Sequence, residues 1–283
     1  MKNNFFSVLK TILKLLIPPI IIKIISHRRK KLPEKPIQFQ QTELSWDDAF
    51  EMTSAGYTAD KILQKCKNSL LKVKNGEYPY GRDSVLFTEK VLFYPLLSSL
   101  LYISLKKNKT LNIIDFGGSL GSTYFQNRDI LKEAGTRINW NIIEQHNFAE
   151  CGKEYFSNDD LCFHDSINDV SNIENISVCL LSSVLPYLKE PYVILNSIKK
   201  KDIEYIIIDR TIFLENESND ILTIEKVPPE IYDASYPAWF LSLNKFLLYI
   251  ENYFDIIFKW DSLDQHCLEN HKTIGLGFLL CKR

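Results

Sequence analysis

Three features of the sequence predict a Rossmann-like α/β fold. The apolar run Leu111-Asn112-Ile113-Ile114 ends in Asp115, and the glycine-rich turn Phe116-Gly117-Gly118-Ser119-Leu120-Gly121 then enters a segment that can continue as a helix. Short apolar runs recur downstream with helix-like stretches between them, the pattern of a mostly parallel sheet covered by helices. Two strand-like runs, residues 254–260 and 273–282, close the chain as a hairpin-like pair.

The glycine-rich turn sets the ligand expectation. Gly117, Gly118 and Gly121 let backbone approach a ligand closely, and Asp115 can accept hydrogen bonds from it. The Asp-x-Gly-Gly-x-x-Gly spacing lies nearer the methyltransferase pattern Asp-x-Gly-x-Gly-x-Gly than the dinucleotide pattern Gly-x-Gly-x-x-Gly. Ser119 stands where the middle glycine would be. S-adenosylmethionine is therefore the leading ligand, while an ordinary turn before a helix is the alternative for the loop taken alone.

The 283 residues suit one enzyme domain with an appendage. A net charge of −1 with 45% hydrophobic residues gives no global reason to expect a nucleic-acid partner. Six scattered cysteines without a Cys-x-x-Cys pair suit reduced thiols in a cytosolic protein. His266, Cys267 and His271 lie close in sequence, but a single cysteine in a loop-like stretch is a poor zinc signature, and no metal is expected.

At the N-terminus, residues 3–17 separate on a helical wheel into a polar face with Lys10 and Lys14 and an apolar face with Phe5, Leu9, Leu13 and Leu16. The helix would end before Pro18-Pro19 after about 20 Å, short of the roughly 30 Å hydrocarbon core of a bilayer. With Arg28-Arg29-Lys30-Lys31 behind it, residues 1–29 read as an amphipathic segment at the inner face of the cytoplasmic membrane, or else as a helix packed on protein. Residues 30–44, with Pro33 and Pro36, read as a linker.

Residues 45–110 read as a helical prelude, with Thr58 a candidate cap and residues 87–105 a largely apolar helix. The polar and aromatic stretch between its helices offers Tyr80, Arg82 and Asp83 as lid or substrate residues, or as a plain surface loop. The core would then run over residues 111–283. Its second strand ends in Glu144, an acid placed to take two ribose hydroxyls, although later than the roughly 20 residues of the dinucleotide rule. A short third strand ends in Asp165, where an adenine amino group could be received, with His164 beside it facing solvent. The fourth is followed by Ser182, Ser183 and Tyr187 at the ligand-binding edge. The fifth, residues 204–211, ends in Asp209 and Arg210, either an ion pair or an acceptor-orienting pair. Residues 212–240 read as a rigid insertion across the site that carries Ser235, Tyr236 and Trp239, with a helix from 239 to 252.

In these landmarks the chain resembles a family of methyltransferases, many associated with bacterial surface-polysaccharide gene clusters. The resemblance runs from about Trp46 to the C-terminus and rests on Gly56-Tyr57, Arg82-Asp83-Ser84, Asp115 to Ser122, Trp140 with Glu144-Gln145, Ser182 to Leu188, Asp209-Arg210-Thr211 and Ala234-Ser235-Tyr236-Pro237. It implies a class I methyltransferase fold, a seven-stranded mostly parallel sheet with an antiparallel final strand, acting on a glycan or lipid-linked glycan precursor. In that setting Asp115, Gly117, Gly118, Ser119, Gly121, Glu144, Asp165, Ser182 and Ser183 would hold the cofactor, and Asp209, Arg210 and Tyr236 would face the acceptor. Tyr80, Arg82, Asp83, Tyr187, Ser235 and Trp239 would bind it. Pro186 stands where the family pattern has glutamine. Two alternatives are a membrane-recruited scaffold without turnover, toward which Ser119 leans, and a nucleotide-sugar or nicotinamide-dependent oxidoreductase. The sequence does not set the oligomeric state.

Overall fold

The computed structural model describes residues 37–53, 60–82, 84–171, 175–228 and 234–283. The N-terminal amphipathic segment, Gly56-Tyr57, Thr58 and Asp83 lie outside the described residues. Residues from Ile37 onward form one compact unit.

The strands are β1 (Gln38–Gln41), β2 (Tyr80–Arg82), β3 (Val85–Phe87), β4 (Thr110–Phe116), β5 (Arg137–Ile143), β6 (Leu161–His164), β7 (Val178–Ser182), β8 (Tyr205–Leu214), β9 (Ile221–Val227), β10 (Ala234–Ser242), β11 (Phe254–Asp261) and β12 (Thr273–Lys282). The helices are α1 (Trp46–Glu51), α2 (Asp60–Lys74), α3 (Tyr94–Lys106), α4 (Ser122–Glu133), α5 (His146–Tyr155), α6 (Pro191–Lys200) and α7 (Leu243–Glu251). The core sheet runs β6-β5-β4-β7-β8-β12-β11; β12 alone is antiparallel to its neighbours. This is the predicted Rossmann-like, mostly parallel sheet with an antiparallel final strand. The order reverses at β4, which lies between β5 and β7, so the β4 and β7 exits flank the crevice where ligands enter such sheets.

Sequence chemistry explains the layers. The β7 and β8 runs are apolar on both faces because helices cover both. Leu63 of α2, Leu100 of α3, Leu131 of α4 and Phe148 of α5 bury against one face; Leu195 of α6 and Phe246 of α7 bury against the other. Ser242 caps α7 by accepting from the Lys245 backbone N–H at 3.1 Å.

Three expectations are corrected. Residues 38–41 are not linker: they pair antiparallel with β9 and satisfy its outer edge. Residues 85–87 form the β2–β3 hairpin, and α3 starts only at Tyr94, where Pro95 supplies a preset first turn. Residues 239–242 are strand, and the predicted insertion is largely the antiparallel pair β9–β10, whose last residues join the end of β8 in parallel. β-Branched residues and alternation outweigh the prolines there, because Pro237 lies buried within the pairing rather than breaking it. β10, β9 and β1 thus extend the predicted seven-stranded core sheet to ten strands.

Candidate active site

Two clusters meet at the carboxyl ends of the strands. In the first, parallel register brings Asp115 beside Ile142, and Trp140 Nε1 donates to Asp115 Oδ2 at 2.9 Å. Glu144 accepts from the backbone N–H of Ser119 at 3.1 Å and of Gln145 at 2.8 Å, which ties the glycine loop to the β5 exit. Both acids are buried, and burial pushes each up to about 7; Trp140 opposes this at Asp115, while Glu144 adds to it.

The glycines are required by space and by backbone. A Cβ on Gly118 would lie 2.6 Å from the Asp115 carboxyl group, and one on Gly117 would lie 2.5 Å from Val184 Cγ2. Gly117 has φ +73° and Gly121 +98°. Ser119 itself adopts φ +52°, so a serine occupies the left-handed conformation that the family pattern assigns to glycine.

The second cluster is assembled from distant strands. Between Ile208 and Thr211, β8 carries an extra residue relative to β12, opposite Gly277. The bulge holds Asp209 and Arg210. Trp260 of β11 crosses Gly277 and donates to Asp209 Oδ1 at 3.0 Å, and Ser182 Oγ approaches Oδ2 at 3.4 Å. Burial raises the Asp209 carboxyl above its ordinary range despite Trp260 and Arg210. Arg210 pairs through Nε with Asp264, which Arg82 also approaches at 3.7 Å. Burial would raise Asp264, but the two guanidinium groups hold it below the usual carboxylate range.

A narrow cleft opens beside this cluster, lined by Ser183, Tyr187, Arg210, Trp239, Asp264 and His266 among others. Ser183 and Arg210 have φ of +56° and +54°, so with Ser119 three strained non-glycine residues ring the strand ends. Behind the cleft, Glu225 is 2% exposed and accepts from Tyr187 Oη at 2.9 Å and from Tyr236 Oη at 3.4 Å. The two rings meet edge to face at 5.3 Å. Trp46 stacks on Trp239, which fixes α1 against β10.

Several predicted roles change. Asp209 is buried, with Trp260 on one carboxylate oxygen and Ser182 near the other. Tyr80 is buried against Phe87, since β2 is the inner strand of its hairpin, and it is a wall residue rather than a substrate contact. Asp165 is exposed at the β6 exit and bonded to His146 Nδ1 at 2.8 Å, with Lys153 Nζ at 3.3 Å. His146, Glu150 and Asp165 offer ligand atoms within 4.8 Å of one another, and Lys153 pairs with both acids. His164 does not face solvent: Nε2 meets Asn141 Oδ1 at 3.0 Å. Ser235 is half-buried on β10.

Sequence reading missed Glu225, Trp260 and Asp264, and weighed His266 only as a metal ligand. A charged residue inside the alternating run Leu222-Thr223-Ile224-Glu225 was the only local hint.

No protein-family model matches this sequence, and none of the curated proteins does. Among solved structures, the chain is similar to a Methanosarcina mazei S-adenosylmethionine-dependent methyltransferase: 13% identity, 68% of this chain and 99% of that one, TM-score 0.45. It is also similar to the Burkholderia thailandensis 1,6-didemethyltoxoflavin-N1-methyltransferase with bound S-adenosylhomocysteine: 8% identity, 89% and 97% covered, TM-score 0.43. A third is the Synechocystis magnesium protoporphyrin IX methyltransferase: 10% identity, 79% and 100% covered, TM-score 0.43.

Proposed function

We propose that this protein is an S-adenosylmethionine-dependent methyltransferase. The observation that carries the reading is the pairing of Asp115 and Glu144 around a loop whose glycines leave no room for a Cβ. Two buried carboxylates suit a ligand with a cationic amino-acid end and a ribose diol. They oppose a pyrophosphate, and the backbone N–H groups of Gly117, Ser119 and Gly121 are already engaged by Ile143, Glu144 and Gly118. That argues against the oxidoreductase. Ser119 takes the left-handed backbone that the loop pattern asks of a glycine, at the cost of a strained φ, so the loop keeps its shape with serine there.

The cofactor would supply an activated methyl group. Asp115 and Glu144 would hold its amino-acid and ribose portions, Ser182 and Ser183 would border it, and the cleft beyond Ser183 would align the acceptor. The sequence resemblance implies a glycan or lipid-linked glycan acceptor; the cleft mixes aromatic, hydroxyl and charged groups but has about 20 Å³ of room, about one water, so it would have to open to admit one. The basic N-terminal segment would hold the protein peripherally at the cytoplasmic membrane; no helix among the described residues is long and apolar enough to cross one.

Calorimetry on the full chain tests the cofactor. S-adenosylmethionine and S-adenosylhomocysteine are expected to bind saturably, and Gly118→Ala is expected to weaken both by about 100-fold, roughly 2.7 kcal/mol. Folded wild-type protein that binds neither would overturn the reading.

A further inference from the structure

We infer that Trp140 is a positioning residue of the cofactor site: its indole N–H anchors one oxygen of the Asp115 carboxylate and leaves the other for the cationic amino-acid end of the ligand. This inference rests on the methyltransferase reading above and assigns a residue that reading does not use.

Trp140 is fully buried on β5, the parallel neighbour of the strand that carries Asp115. Nε1 donates to Asp115 Oδ2 at 2.9 Å, whereas Oδ1 has no hydrogen-bond partner among the described residues. An indole N–H is a donor only, so the contact has one sense and pins one oxygen. Packing holds the ring there. Tyr124, on the helix that follows the glycine loop, meets the indole edge to face at 5.8 Å, and the Tyr124 hydroxyl is itself tied to Asn158 Oδ1 at 3.2 Å. From the loop, Gly118 approaches the same acid so closely that a Cβ there would lie 2.6 Å from the carboxyl group. A single donor therefore sets the orientation of the carboxylate that abuts the glycine loop.

The charges around this pair give the contact its consequence. Glu144 at the β5 exit and the Cys179 thiol of β7 are the titratable groups that face Asp115, and no cation does among the described residues. A buried carboxylate in that company keeps a proton until a cation replaces it. Asp115 gives up that proton to solvent as it takes the ammonium group of the ligand. An indole donor favours the charged form of the acid, so Trp140 eases the exchange as well as fixing its geometry.

The test uses the full chain. In cofactor-free protein, the indole N–H resonance of Trp140, identified by its loss in Trp140→Phe, is expected to titrate with a midpoint of about 7 and to lose most of that titration in Asp115→Asn. Saturating S-adenosylhomocysteine should suppress the titration as well, because Asp115 then stays ionised. Placing 3-benzothienylalanine at position 140 keeps the ring and removes the N–H. That variant should bind S-adenosylhomocysteine about 10-fold more weakly at neutral pH. The pH at which affinity is half developed should rise by about one unit. With 5-fluorotryptophan at the same position, which keeps the N–H, affinity should hold within about twofold of wild type. An indole resonance that does not move with pH, or that moves equally in Asp115→Asn, overturns the inference whatever the cofactor does. A benzothienyl variant that matches wild type in affinity and pH dependence overturns it too, as does one that loses stability with an unchanged pH curve, the mark of a merely structural tryptophan. Folded wild-type protein that binds neither adenosyl ligand instead overturns the methyltransferase reading, and the positioning role falls with it, while the indole titration still reports whether Trp140 anchors Asp115.

Discussion

The site buries its acids in two opposite ways, and Asp209, raised by burial against the Trp260 indole, follows Asp115 although it lies on the other side. On the cofactor side, Asp115 and Glu144 are held by indole and backbone N–H groups, and burial pushes both up to about 7. On the acceptor side, Asp264 is gripped by Arg210 and Arg82 and pulled down. An acid without a cationic partner among the described residues suits the cationic ligand proposed above; one between guanidinium groups belongs to the scaffold. The difference separates a binding surface from a frame, although both lie at the same edge of one sheet.

The largest expected effect is a divergence of the two sides with pH. In the unfolded chain Asp115 and Glu144 release their protons near pH 4, whereas the folded protein keeps them to about pH 7. The folded state binds more protons across that interval. Their contribution is therefore full below about pH 4 and is lost as pH rises to about 7, on the order of 3–4 kcal/mol for each acid in ligand-free protein. Asp264 behaves in the reverse sense: its contribution is present above its unfolded value and is lost in acid. Denaturant unfolding from pH 4 to pH 8 should show stability falling toward neutrality, and Asp115→Asn should flatten that slope. An unchanged slope in Asp115→Asn would break the comparison.

A smaller effect isolates the frame. Gly277→Ala would place a Cβ 2.1 Å from Trp260 Nε1 and drive the indole off Asp209. We expect a loss of about 1–3 kcal/mol of stability in denaturant unfolding. Adenosyl-ligand affinity should stay within about twofold, since Gly277 touches nothing on the cofactor side. A parallel loss of affinity would mean that the halves act as one unit.

The same contrast explains what could be read in the sequence. Residues 111–121 write strand, loop and helix start contiguously, so the places of Asp115 and the glycines were legible from spacing. Glu144 was legible because a parallel strand ends one step away. The acceptor side is made by pairings across long intervals: Trp260 reaches Asp209 over Gly277, and Glu225 meets Tyr187 from a strand not foreseen as one. The β8 bulge and the left-handed φ of Ser183 and Arg210 leave no local signature, because neither residue type announces such a conformation. Gln38–Gln41 misled for a related reason. An edge strand four residues long is specified by the edge it covers, not by its own pattern.

The smallest effect concerns Asp165, which the comparison leaves between the two classes. It follows β6 on the cofactor side, as an adenine-binding acid should, yet His146 and Lys153 hold it below its ordinary range like an acid of the frame. The cluster is exposed, so its ion pairs are screened and contribute little to folding. Asp165→Asn should accordingly leave the melting temperature within about 2 °C of wild type. Affinity then decides the role. If Asp165 meets the adenine amino group, an amide rotated to present its N–H₂ is the wrong partner, and S-adenosylhomocysteine should bind about fivefold more weakly, near 1 kcal/mol. If the pair with His146 is all that the carboxylate does, affinity will not change, and the adenine must be read by backbone at the β6 exit instead.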